Sequence, residues 1–158
     1  MDWSGWAIFG LVATTLLTAV LIVAQLSGRT RLDLPLVLGT LLTADPDHAR
    51  VAGFFVHLAM GQFFALFYAA AFAALDRSGW LLGAGFGLMH AVVALAVIVP
   101  LLPGAHPRMA SERAGPDSHP LLEPPGLLAL NYGVSTPLVA IAAHVVYGAA
   151  LGLVLHPT

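Results

Sequence analysis

The chain contains no cysteine. Its absence excludes disulfides, thiolate metal sites and a cysteine nucleophile. Lysine is missing as well, so each of the six fixed side-chain cations is an arginine. Charge of either sign is scarce: 9% of residues are charged, against about 25% in soluble domains. A net charge of −2 and the lack of a basic patch argue against nucleic acid or an acidic substrate as partner. What the sequence has in quantity is apolar residues, 59% of 158.

Those residues fall into four runs, at about 5–26, 51–75, 80–102 and 136–156. Each approaches the ~20 residues needed to cross a hydrocarbon core. Backbone groups in lipid must bond within their own segment, so the runs are expected to be helices. None alternates at period two, which disfavours a barrel. The expected fold is all-α: a polytopic membrane protein with four transmembrane helices in a single domain, 1–158. Its longer loops span about 28–50 and 103–133. Only Met1 and Asp2 precede Trp3, and the first run exceeds the 7–15 residues of a signal core, so it reads as a retained helix.

Trp3, Trp6 and Trp80 open helices that start on one membrane face and read as interfacial anchors. Arg29, Arg31, Arg50, Arg108 and Arg113 fall on the other side, with Arg77 alone on the tryptophan side. The positive-inside bias then places the long loops in the cytoplasm and both termini outside, in a bacterial inner membrane. Asp33-Leu34-Pro35 and Asp45-Pro46 read as starts of helical segments, an acidic cap before a proline. Leu34 to Leu42 is apolar but too short to cross, as interfacial or re-entrant segments are. Ser135-Thr136-Pro137 reads as a hydroxyl cap for the last span, and Pro100 and Pro103 as the end of the third.

Small residues recur at four-residue steps, which share one helix face. The first span carries Gly10, Thr14 and Thr18, with Gln25 further along near that face. The second carries His57, Gly61 and Ala65; the third carries Gly83, Gly87 and Ala91 beside His90; the last carries His144, Gly148 and Gly152. Such faces allow close helix approach, within one chain or between subunits, so a homo-oligomer or a membrane-complex partner is possible besides the lipid bilayer. The order of features also repeats. Phe9-Gly10 and Phe86-Gly87 are each followed by a β-branched run, then by Asp33-Leu34-Pro35 or Glu123-Pro124-Pro125, and then by a histidine–glycine helix. This suggests a tandem repeat of two helical hairpins related by a pseudo-twofold along the membrane normal. It would bring His57 and His144 face to face, with Asp33 and Glu123 above them.

Ionisable groups inside a membrane raise a functional hypothesis. For His57, His90 and His144 the first reading is a neutral ring making an interhelical hydrogen bond. A second is a proton-relay site served by Asp33 and Glu123. A third is a cofactor site, with haem iron or a divalent metal held by two histidines. No cofactor is expected on balance, since no attachment motif and no His-xxx-His pair is present. Enzymatic chemistry has little support: Ser111 and Ser135 lack a glycine-flanked elbow, and Glu112 and Asp117 lie in an irregular loop. His106 and His119 precede prolines in that loop and read as solvated turn residues, while Tyr68 and Tyr147 read as aromatic packing.

Several of these motifs resemble those of small bacterial four-helix inner-membrane proteins, the YagU-like group. The likeness lies in Gly10-x-x-x-Thr14, in Asp33-Leu34-Pro35 with Leu38-Gly39, in Gly53-x-x-x-His57-x-x-x-Gly61, and in His144-x-x-x-Gly148-x-x-x-Gly152. It spans most of the chain and implies an integral membrane protein, with no reaction attached. The proline-rich third loop departs from the group. The sequence thus points to a non-enzymatic accessory or self-associating membrane component, with proton, ion or cofactor handling by the histidines as the alternative.

Overall fold

A computed structural model describes residues 3–111 and 122–157. It is all-helical, and four helices are long and apolar enough to cross a membrane. In chain order these are α1 (Trp3–Leu26), α3 (Pro46–Leu75), α4 (Trp80–Ala105) and α5 (Thr136–Val154). A short helix, α2 (Leu34–Gly39), and a 3-10 segment (Leu127–Tyr132) lie in the two longer connections.

Local chemistry sets the helix starts. The Asp33 carboxylate accepts from Leu36 N at 3.0 Å, with Pro35 in the first turn of α2. Asp45 does the same for α3, accepting from His48 N at 2.8 Å, so that helix begins a turn before the run of unbroken hydropathy. The His48 N–H holds the Asp45 carboxyl below the usual carboxylate range. Ser135 behaves differently. It precedes α5 but makes no cap; its hydroxyl donates instead to Arg29 O at the end of α1. A tertiary bond has displaced the local one.

The two prolines of α4 do not stop it. A π turn, Ala94–Ile98, precedes Pro100, and the helix continues to Ala105. Proline removes a donor and needs room over the carbonyl one turn back, and a widened turn supplies that room.

Packing follows the small residues. A Cβ on Gly83 would lie 2.0 Å from Gly148 O, and one on Gly87 2.2 Å from His144 O, so α4 and α5 run backbone against backbone. At Gly61 the side chain of Thr14 fills the space, joining α3 to α1. A third crossing was not foreseen: Gly39 of α2 meets Ala49 O, and Gly53 of α3 meets Pro35 O. In lipid such proximity carries much of the association, because burying apolar surface gains little there. The core cluster joins Leu17 and Leu21 of α1, Phe72 of α3, and Tyr147 and Leu151 of α5.

The bundle is not evenly spaced. α1 packs on both α3 and α5, and α4 packs on α5. Between α3 and α4, although only a short turn joins them, large rings intervene: Tyr68 and Phe72 against Phe86, and Phe64 against His90. Their bulk leaves an open groove of about 380 Å³ between the two helices.

Candidate functional site

The three intramembrane histidines converge on the interior of the bundle. His144 of α5 and His90 of α4 are in ring contact, centroids 4.8 Å apart and planes at 74°. His57 of α3 is 8% exposed. The ring seated on His144 is therefore that of His90, where the repeat led one to expect His57. The reason is the close α4–α5 crossing: Gly87 admits the His144 backbone, and His90 follows three residues later on the neighbouring face.

Hydrogen bonds fix two of the rings. The Thr18 hydroxyl donates its only proton to Thr14 O at 2.7 Å. His57 Nδ1, 2.9 Å from that oxygen, must therefore be the donor. His144 Nδ1 donates to Ala140 O, one turn back in its own helix, at 2.8 Å. Both rings then carry a proton on Nδ1. His90 Nδ1 has only a long contact, 3.4 Å, with the Tyr68 hydroxyl.

Tyrosines complete the cluster. Tyr147 donates to Gly61 O at 2.5 Å, which ties α5 to α3 and gives it a polar role beyond ring packing. Its ring also stands edge-on to Tyr68, centroids 5.3 Å apart. Gly61 thus serves two partners, Thr14 through its missing side chain and Tyr147 through its carbonyl.

The two carboxylates expected above the histidines are occupied elsewhere. Asp33 Oδ2 pairs with Arg50 Nε at 2.8 Å, and its other oxygen caps α2. Glu123 takes both arms of Arg31, at 2.9 and 3.3 Å, where the connections meet. Neither bonds to an imidazole among the described residues. No group of three histidines, acids or cysteines is arranged to hold a metal ion among those residues. Glu112, Asp117 and His119 lie outside the described residues.

Two further polar links went unread in the sequence. Gln62 donates to Trp6 O at 2.9 Å, while the Trp6 indole donates to Gln62 O at 3.0 Å. Trp6 is thus a strut between α1 and α3, a role beyond the interfacial anchor expected of it. Gln62 Oε1 has no hydrogen-bond partner among the described residues and lies where a Cβ on Gly10 would come within 2.3 Å, so Gly10 serves this amide. His106 is only 5% exposed, contrary to the solvated turn expected of it. Its Nδ1 accepts from Arg108 N at 3.1 Å, which leaves Nε2–H to donate to Val37 O at 2.9 Å, near the end of α2. Arg108 adds a bond to Thr40 O at 2.6 Å. The C-terminal turn of a short helix leaves carbonyls without intrahelical partners, and that was the signal available.

Against protein-family models, curated proteins and solved structures alike, the chain finds no match.

Proposed function

We propose that this chain is a non-enzymatic accessory protein of the bacterial inner membrane, in which the histidine cluster joins helices. The observation that carries this reading is the destination of the polar atoms. His57 bonds to Thr18, His144 to Ala140 O and Tyr147 to Gly61 O, each within the bundle. The hydroxyl–imidazole pair of Thr18 and His57 is committed the wrong way for base-assisted attack: Thr18 gives its proton to Thr14 O, and His57 Nδ1 is the donor between them. The glycine faces that suit contacts between subunits are occupied within the chain. An accessory role is therefore favoured over self-association.

The inner-membrane placement, with termini outside and long connections in the cytoplasm, rests on arginine distribution. The resemblance to the YagU-like group agrees with it. The two-hairpin repeat draws support from the shared plan of the halves: a long helix, a short helical piece, then a second long helix. The uneven α3–α4 gap limits how closely the halves match.

A second reading, proton handling, is favoured by one observation: the His90–His144 contact sets two titratable rings side by side. The two readings separate in liposomes. The accessory role predicts that a pH jump drives no more proton flux through wild type than through a His57→Gln/His90→Gln/His144→Gln variant. It also predicts that the variant melts at lower temperature in detergent. Flux through wild type above that of the variant would establish proton handling instead.

A further inference from the structure

Where α1 ends and α3 begins, a cleft of about 740 Å³ opens between α1, α2 and α3. One part of its wall is apolar, with Leu26, Val51 and Phe54, and the other is polar, with Gln25, Asp33 and Arg50. Leu26 and Val51 are largely exposed, so the apolar wall continues into the lipid-facing surface. The site therefore straddles the level at which acyl chains give way to headgroups.

The polar groups are not equally committed. Asp33 spends one oxygen on Leu36 N and the other on Arg50 Nε. Arg50 uses Nε on Asp33 and Nη1 on Asp47, at 3.4 Å, and Nη2 has no partner among the described residues. The half-buried Gln25 amide has none there either. Two uncommitted donors thus share one cleft with an apolar wall. A phosphate diester above two acyl chains matches that combination.

Charge narrows the headgroup. Arg50 is opposed by both Asp33 and Asp47, so the local sum is +1 − 2 = −1. Asp47, one helical turn before the cleft-lining Arg50, is 97% exposed and shares only a 3.4 Å contact with Arg50 Nη1, which leaves its other oxygen open to solvent beside the cleft. A glycerol headgroup would add negative charge to a negative site. A choline headgroup brings a cation that has no N–H to donate. An ethanolamine headgroup offers a phosphate to Arg50 and Gln25 and an ammonium donor to Asp47.

We infer that the α1–α2–α3 cleft binds one ethanolamine phospholipid, phosphate on Arg50 and Gln25, ammonium on Asp47, acyl chains along Leu26, Val51 and Phe54. The full chain would be reconstituted in vesicles with equal parts ethanolamine, glycerol and choline phospholipid, extracted gently, and its retained lipid weighed by native mass spectrometry. Flotation with the vesicles reports membrane insertion separately, so failure of the membrane reading is distinguishable from failure of the site. The expected result is one retained lipid, with ethanolamine enriched several-fold over either competitor. Gln25→Leu lies outside every ion pair and should lower retention without lowering the melting temperature. Asp47→Asn should equalise ethanolamine and choline while retention persists. Arg50→Gln should abolish retention; because it also frees Asp33, the first two variants decide if it misfolds. Retained lipid in the bulk proportions, or a preference for the glycerol headgroup, overturns the inference.

Discussion

At the residue scale, the polar side chains of this bundle act through what they bond. Tyr132 shows this outside the membrane. Its hydroxyl donates to Glu123 O at 2.6 Å, and its ring packs with Leu95, Ala129 and Ala140. Burial first, and then the Glu123 charge, push its phenol up to about 12, with Arg31 pulling the other way. A folded-state value above the unfolded one of about 10 means that the folded chain holds the proton more tightly. The stability linked to this group is whole below pH ~10 and is lost as pH rises towards ~12. Melting temperatures of wild type should therefore fall across that alkaline window. Tyr132→Phe, which has no proton to lose, should show a shallower decline; equal slopes would remove Tyr132 as the cause.

The residue scale is also where the sequence was least legible. The aspartates before Pro35 and Pro46 announced helix starts, because a cap is a local affair between residues three apart. Ser135 carried the same local signal, yet its hydroxyl went to Arg29 O across the bundle. His106 looked like a loop residue because its partner, Val37 O, lies 69 positions away. Spacing along one segment cannot reveal a bond that the tertiary fold creates.

At the element scale, glycine position separates two kinds of helix surface. Gly148 faces Gly83 O, where a Cβ would sit 2.1 Å from the oxygen, and backbone on both sides leaves nothing soft to yield. Gly85, on the same helix as Gly83, has open space around it. Gly148→Ala should cost roughly 1–3 kcal/mol, the usual range for overpacking. Gly85→Ala should be neutral or gain up to about 1 kcal/mol from helix propensity. Thermal unfolding in one detergent compares them directly, and a Gly148→Ala protein as stable as wild type would contradict the α4–α5 crossing.

Four-residue small-residue spacing was readable from sequence, and so were the four spans. The pairing of faces was not: sequence offers several small faces and no rule for which meets which. The α4 prolines misled for a related reason, since the π turn that accommodates them is a geometric adjustment with no residue signature of its own. Tyr68 of α3 reads as a packing residue, and it packs, but together with Phe64, Phe72 and Phe86 its bulk opens a groove rather than closing one.

At the scale of the whole molecule, three helices meet at the imidazoles while a fourth holds one of them in place. His57 leans on Thr18 of α1, Tyr147 reaches across to α3, and His90 and His144 join α4 to α5. The sequence placed these histidines inside the membrane and on small-residue faces. It could not show that Asp33 and Glu123 would be held by Arg50 and Arg31 at the bundle end, away from the rings.

The central claim, that these imidazoles are fixed structural members, has a direct spectroscopic test. Nitrogen-15 NMR of histidine-labelled protein in lipid nanodiscs, at neutral pH, reports which ring nitrogen carries the proton. The hydrogen bonds to Thr18 Oγ1 and Ala140 O predict Nδ1–H for both His57 and His144, the tautomer that free imidazole side chains disfavour in water. Assignment follows from His57→Gln and His144→Gln, each of which should delete one such signal. Finding both residues as exchange-averaged Nε2–H rings would contradict the account.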